Sequence, residues 1–573
     1  MKRYIKTIGL LILSLVAFSA CQVGFVPEGV KEQKPLKNFQ EVKWLRESLY
    51  STLRGAESPG NLFLGDMQAD LFHLTASDGN TYFPFYSWNK ENLSSNDMIA
   101  AYFGSFATII KDANYFIMRA NEMKANEELM KTLKEGEAKK LDTYIAEARA
   151  LRALANYRLM CRFSKRYSDN DGQEPGIILI KEYDPLLQKT NKKRATQKEV
   201  YEWCLNELEE ASKDIPTKDN YLADRENNLE KDGIPCYLIQ DYCYAVRARI
   251  FLEMHRYQDA IKEVDKFIKN YPLSTKCVLD SRDKKDGKLI ENRDPDNFQN
   301  LWKYETSTEI MIKTYATQKV GRAYGILHGL WIYDNVNPNT GKKVQIEFAS
   351  PTWFPNQYLI DLYKNSLDPE DPEDCKEDYR CDLWLEDTDG KHPGTNGFPV
   401  LYGEVDDDEV ITFVSKFRGN PDLDTDTKRN RVSYAHSTHL FDIAEAWLIK
   451  AEAQAWSGDW TAAKATLEEF RKGRGLTVEL RASNQKEMME TVKNERTREL
   501  VGMGTRMTDL KRWGDPIDRT NKPLQEGLTK GQAATTVTKS YLDLKKDASD
   551  VMFYWEFPLQ DRFANKELEH NWK

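Results

Sequence analysis

Apolar residues recur at three- and four-residue steps along much of the chain, the period of a helix with one face turned inward. In 143–165, Tyr144, Ala148, Leu151, Ala155, Leu159 and Phe163 form one such stripe, with Arg149 and Arg152 off it. The segment 196–216 opens on Thr196 with Glu199 three positions on, the spacing of a capping box. Leu205, Leu208 and Ala211 continue it, and Pro216 lies beyond its end. Two later stretches share a finer pattern. Tyr244, Ala248, Phe251, Ala260, Val264, Phe267 and Pro272 fall at the spacings of a tetratricopeptide helix pair. Trp447, Ala451, Gln454, Ala463, Leu467, Phe470 and Gly475 repeat those offsets, Gln454 and Gly475 departing from the pattern. Small residues stand where paired helices must approach closely, and large ones fill the gaps between them.

Between these units the pattern changes. From about 275 to 435 the chain is rich in Asp, Asn, Gly, Pro and aromatics and shows no long helical stripe. Residues 367–389 hold eleven acidic and two basic residues, which reads as a solvated loop. It lacks the spacing of an EF-hand loop, and Asp406, Asp407 and Asp408 leave calcium as the one cofactor considered. Chemistry-bearing motifs are few: there is no GxSxG, HExxH, Walker loop or GxGxxG. Paired carboxylates for glycoside hydrolysis need no motif, so a surface glycoside hydrolase stays as an alternative.

The first residues read as an address. Lys2, Arg3 and Lys6 precede an apolar run from Ile8 to Phe18, then Ser19 and Ala20 lead to Cys21. The run is too short to span a bilayer and has the three-part layout of a secretory signal. Phe18-Ser19-Ala20-Cys21 resembles a bacterial lipobox, so the expectation is a signal over 1–20, cleavage before Cys21, and lipidation of its sulfur. The alternative is an ordinary cleaved signal with an incidental cysteine. Beyond Cys21 seven cysteines remain, an odd number; Cys375 and Cys381 are placed to pair. With 82 Lys and Arg against 91 Asp and Glu, the net charge of −9 argues against nucleic acid as a partner. Mean hydropathy of −0.67 excludes a multi-pass membrane protein.

The C-terminal third carries an ordered set of motifs. It runs from an AEA-type helix in 439–475, through NERTRELVGMGTRMTDLKRWG (494–514), to FYWEFPLQDRFANKELEHNW (553–572). Glu495, Arg496, Glu499, Leu500, Gly504, Arg506, Asp509, Leu510, Arg512, Trp513 and Gly514 carry the middle signature, with Met503 in place of a Glu. Asn565, Leu568 and Asn571 carry the last. This resembles the SusD/RagB family of outer-membrane nutrient-binding lipoproteins, and earlier segments around 149–163, 196–216 and 359–380 agree with it. The resemblance implies a mostly α fold of four tetratricopeptide-like helix pairs supporting a loop-rich, ligand-binding half with a few short strands. In this chain that means a single body over 21–573, with an N-terminal part about 22–230 and a C-terminal part about 275–573. The helix pairs would lie near 143–216, 237–272 and 439–475. It further implies no catalysis, a SusC-like TonB-dependent transporter as partner, and capture of oligosaccharides, or peptides in some members, at the outer membrane. The 494–514 signature itself reads as a structural lock. Arg496, Arg506 and Arg512 are set to pair with Glu499 and Asp509, and Leu500 and Trp513 to bury against the helix pairs.

Sugar rings present apolar C–H faces that stack on aromatic planes, with hydroxyls taken by neighbouring polar groups. The chain is 11% aromatic, and two aromatic groups lie outside the helical stripes. Tyr82, Phe83, Tyr86 and Trp88 stand in SDGNTYFPFYSWN with Asp78 and Asn80 among them. Trp302 and Tyr304 are followed by Trp331 and Tyr333 in GLWIYDNVNPN. These ten residues are the candidate ligand site, against the bland reading that Trp88 and Trp331 anchor loops to the core.

Overall fold

The computed structural model describes residues 35–75, 78, 80–185, 191–224, 232–283, 289–319, 323–324, 353–364, 378–387, 412–417, 419–423, 435–528 and 538–572. The expected signal, Cys21, Trp331, Tyr333, Cys375 and Asp406–Asp408 lie outside the described residues. Among the described residues no helix is long and apolar enough to cross a membrane, and no cluster of His, Cys, Asp and Glu is arranged to hold a metal ion.

The protein is mostly helical, as the patterning predicts. Helix α1 (Phe39–Ala56) starts where Asn38 accepts from the Glu41 N–H, and α2 (Pro59–Gln68) starts on a proline. Helix α3 (Asp97–Ala125) is capped by Asn96, and α4 (Glu137–Phe163) follows it. The capping box forms: Thr196 accepts from the Glu199 N–H and opens α5 (Gln197–Ala211). Helices α6 (Gln240–Glu253) and α7 (Tyr257–Asp265) form one tetratricopeptide-like pair. Helices α8 (Ile443–Trp456) and α9 (Trp460–Lys472) form its counterpart. Each helix packs on the next, α1 on α3, then α3 on α4 and so on to α9, with α7 on α8 bridging the long intervening stretch. The predicted small positions Ala248, Ala260, Ala451 and Ala463 are fully buried at these crossings. Gln454 departs from the apolar pattern because its Oε1 accepts from the Thr466 hydroxyl across the α8/α9 pair, 2.7 Å away.

One expectation is corrected in α4. The helix is buried on nearly every side, so Arg152, off the apolar stripe, is also inside. Its guanidinium bonds Glu207 of α5 and the Asn114 side-chain oxygen of α3, replacing water with fixed acceptors.

Among the described residues, the loop-rich half holds short antiparallel strand pairs. β1 (Phe72–Leu74) pairs with β3 (Trp353–Pro355), and β2 (Ile310–Lys313) with β6 (His439–Asp442), which leads into α8. β4 (Leu385–Asp387) pairs with β5 (Thr412–Val414).

Helix α10 (Gln485–Glu499) and helix α11 (Arg506–Trp513) join the halves. The lock expected there forms on Asp509 as read, and elsewhere with other partners. Arg496 bonds Asp509, and Arg512 bonds Asp509, Glu452 and Glu253. Arg506 instead reaches Asp70, just beyond α2, because α11 packs on that helix. Glu499 takes Arg474 and Arg380. Arg380 belongs to the acidic run read as solvated, yet it is fully buried, donating to Asp378 and Glu499 and ion-paired at 2.7 Å with Glu495. A charge in that position stays inside because three carboxylates surround it. The terminal signature is structural as well. Asn571 donates to the carbonyls of Phe163 and Trp555, and Asn565 to that of Lys192.

Candidate functional site

The first aromatic group lies on a bend after β1. Asn80 sits in the left-handed region at φ 68°, and the Asp78 carboxylate accepts from the backbone N–H groups of Tyr82 and Phe83 at 3.0 Å. Asp78 therefore caps the short helix Phe83–Tyr86, and its burial pushes its carboxyl pKa up. Tyr86 and Trp88 turn inward. The Tyr86 hydroxyl meets His73 Nδ1 at 3.0 Å; His73 Nε2 faces the Lys522 carbonyl at 3.1 Å and so carries the proton, leaving Nδ1 to accept from Tyr86. The Arg519 guanidinium lies 3.9 Å from the centre of the Tyr86 ring, and burial lowers its pKa to about 10. Trp88 Nε1 donates to the Gln68 carbonyl at 2.6 Å, and its ring packs edge-on to Phe553. Both side chains anchor the bend to the core.

Tyr82 and Phe83 are half-buried and stay at the surface. Tyr82 packs edge-on to buried Trp353 of β3, 5.2 Å between centroids, and Phe83 packs against Tyr541 at 5.8 Å. Tyr541 is 37% exposed, and Asn80 and Thr81 are exposed beside the pair. The result is a short aromatic shelf with polar groups along one edge. Tyr541 has no signal in the sequence: it stands in a polar segment and reaches the shelf only through the fold.

The second group divides differently. Tyr304 is buried, donates its hydroxyl to Asp280 and lies under the Arg293 guanidinium at 4.1 Å. Trp302 is buried too, stacked on the His439 imidazole at 4.2 Å between centroids and 14° between planes, with Phe417 edge-on at 4.7 Å. His439 Nδ1 lies 3.0 Å from Asp442, and Nε2 lies 3.6 Å from Glu305. Burial lowers the imidazole pKa, but the two carboxylates outweigh it and raise it to about 9. Lys416 is enclosed by Trp302, Trp384 and Phe417 and donates to the Glu499 carbonyl at 2.6 Å. Burial there lowers its pKa to about 7. Trp302 thus lines a cavity between the helical stack and the loop-rich half rather than the shelf.

Stacked helix pairs, a loop-rich half carried on them, and a buried arginine lock joining the two make up the scaffold. Residues 408–572 match the SusD family. No curated protein matches the chain. A SusD superfamily protein from Bacteroides thetaiotaomicron superposes with a TM-score of 0.63 at 18% identity, covering 94% of this chain and 100% of that one. A SusD-like carbohydrate binding protein from Bacteroides vulgatus gives 0.61 at 15% identity, covering 93% and 98%. A laminarin binding SusD-like protein gives 0.59 at 17% identity, covering 94% and 99%. The family match covers residues 408–572, and over nearly its whole length the chain shares the fold of these SusD-like structures.

Proposed function

We propose that this protein is a non-catalytic receptor that binds oligosaccharides at the outer membrane. In this reading it is anchored through lipidated Cys21 and passes its ligand to a TonB-dependent transporter. The observation that carries the binding step is the aromatic shelf of Tyr82, Phe83 and Tyr541, with exposed Asn80 and Thr81 beside it. Aromatic faces and edges accept the C–H surface of a sugar, and the polar edge accepts its hydroxyls. The family match supports the same reading, as do structural neighbours that bind carbohydrate.

The shelf also bears on catalysis. Asp78 is the one acid in 77–89, and its oxygens are occupied by backbone N–H groups. It is a cap and has no second carboxylate within that loop to work with. Glycan-array binding by the purified protein, repeated with Tyr82→Ala and Phe83→Ala, tests the proposal. Retention of a glycan that both substitutions weaken, with no release of shorter sugars, supports it. Undiminished retention in both variants would sink the shelf as the site, and turnover would sink the receptor.

A further inference from the structure

A cavity of about 80 Å³ lies between the helical stack and the loop-rich half, under the turn 502–505. On a measure where one water needs roughly 10–15 Å³, it holds roughly five to eight waters, or a small ion with part of its shell. Its mouth is formed by half-buried Leu62, Met503 and Thr505. Its wall includes Arg249, Arg496 and Trp302, all buried.

The wall is rich in unused donors. Arg249 gives Nε and Nη2 to Glu445 and to the Leu440 carbonyl, yet its Nη1 has no partner among the described residues. Arg496 gives Nε and Nη2 to Asp509, and its Nη1 is likewise without a partner. Trp302 Nε1 is the third, while His439 Nε2, also in the wall and without a hydrogen-bond partner, faces Glu305 at 3.6 Å. One wall acceptor is also unused: His436 Nδ1 faces the Ser437 carbonyl at 2.6 Å and so donates, leaving Nε2 unmatched. The carboxylates of the wall do not answer the donors, because Glu445, Asp509 and Glu253 are committed to Arg249, Arg496 and Arg512. Buried N–H groups left unpaired cost far more than paired ones, and two of these three belong to cations.

We infer that this cavity is a binding site for a small oxyanion, a carboxylate or an inorganic oxyanion, held by Arg249 Nη1, Arg496 Nη1 and Trp302 Nε1. An oxyanion supplies several acceptor lone pairs from one compact centre, which matches three unpartnered donors on the wall of one small cavity. The site lies between the helical stack and the loop-rich half and is independent of the aromatic shelf, so it stands whether or not the shelf binds sugar.

The test is thermal unfolding of the full protein in acetate, in phosphate and in chloride at equal ionic strength. Acetate or phosphate raises the midpoint by about 1–2 °C in a response that saturates with concentration, while chloride does not. The acetate and phosphate arms separate a carboxylate site from an inorganic one. Met503→Glu places a tethered carboxylate at the mouth and abolishes the response, whereas Met503→Gln leaves it intact. Trp302→Phe keeps the ring but removes one donor, raising the anion concentration for half-response about tenfold. If Met503→Glu does not fold, Trp302→Phe carries the test. An equal response to all three salts, or a response unchanged in both Met503→Glu and Trp302→Phe, overturns the site.

Discussion

Arg506 donates through Nε and Nη2 to the two carboxylate oxygens of Asp70, at 2.8 and 3.0 Å, across 436 positions of sequence. Both are buried, so the pair ties α11 to the end of α2 and joins the C-terminal signature to the bend that carries the shelf. Removing one partner leaves a charge inside without its counterion. Asp70→Asn should cost about 3–5 kcal/mol in denaturant unfolding. Replacing both members by apolar residues should cost clearly less than the single substitution.

That pair shows what the sequence could and could not disclose. The capping box of Thr196 and Glu199 was legible because both partners lie within one turn. The alanines at 248, 260, 451 and 463 were legible because close helix approach demands small side chains at a fixed period. Asp509 as partner of Arg512 was legible because the two lie one helical turn apart, and as partner of Arg496 because both stand in one short signature. Asp70 was not, since nothing near it specifies an arginine hundreds of residues away. Aromatic density drew attention to the segment 77–89. It did not say that Tyr86 and Trp88 point inward, because that choice is made by His73, Gln68 and Arg519 from other parts of the chain.

Acid should unfold the protein through its buried carboxylates. Asp70 is held down to about 2, chiefly by Arg506 against the cost of burial, and Glu305 and Glu495 are also lowered to about 2. Groups with depressed values stabilise the fold fully above their unfolded values near 4, and that contribution is lost as pH falls toward 2. Asp66, raised to about 6 by burial, runs the other way between pH 6 and 4. The expected profile of unfolding midpoint against pH is therefore shallow down to about pH 4 and steep below it. A steep fall already complete at pH 5 would contradict it.

At alkaline pH two neighbours oppose each other. His439, raised to about 9, contributes stability below its unfolded value near 6.5 and loses it as pH rises through 9. Lys416, lowered to about 7, penalises the fold while the unfolded chain keeps its proton, so stability recovers as pH rises from 7 toward 10.5. The native protein should show little net slope between pH 7 and 9. Lys416→Met should expose the falling limb and His439→Gln the rising one, both read as unfolding midpoints over that range.

Shelf and anchor should separate on substitution. Trp88→Ala removes a buried ring and a hydrogen bond, so it should cost about 3–5 kcal/mol, while the fraction that folds keeps its glycan retention. Tyr82→Ala sits at the half-exposed edge and should cost no more than about 1–2 kcal/mol while weakening retention. Affinity electrophoresis beside denaturant unfolding reads both quantities. Loss of retention in folded Trp88→Ala without loss in Tyr82→Ala would reverse the assignment.

Gly504 holds the turn over the cavity at φ 74°, where its N–H donates to Asp66 at 3.0 Å. A Cβ there would stand 2.4 Å from the Leu62 carbonyl oxygen, backbone that cannot swing aside. Gly458, at φ 90° between α8 and α9, has open space around the same position. Both lie in the left-handed region that disfavours a side chain, so alanine at either should cost about 1–2 kcal/mol in backbone strain. Only at 504 must the α2 turn also move, with the Asp66 bond and the cavity mouth attached to it. Gly504→Ala should therefore destabilise by at least about 2 kcal/mol more than Gly458→Ala in denaturant unfolding. Equal costs at the two positions would mean that Leu62 yields freely and that the turn is not locked against α2.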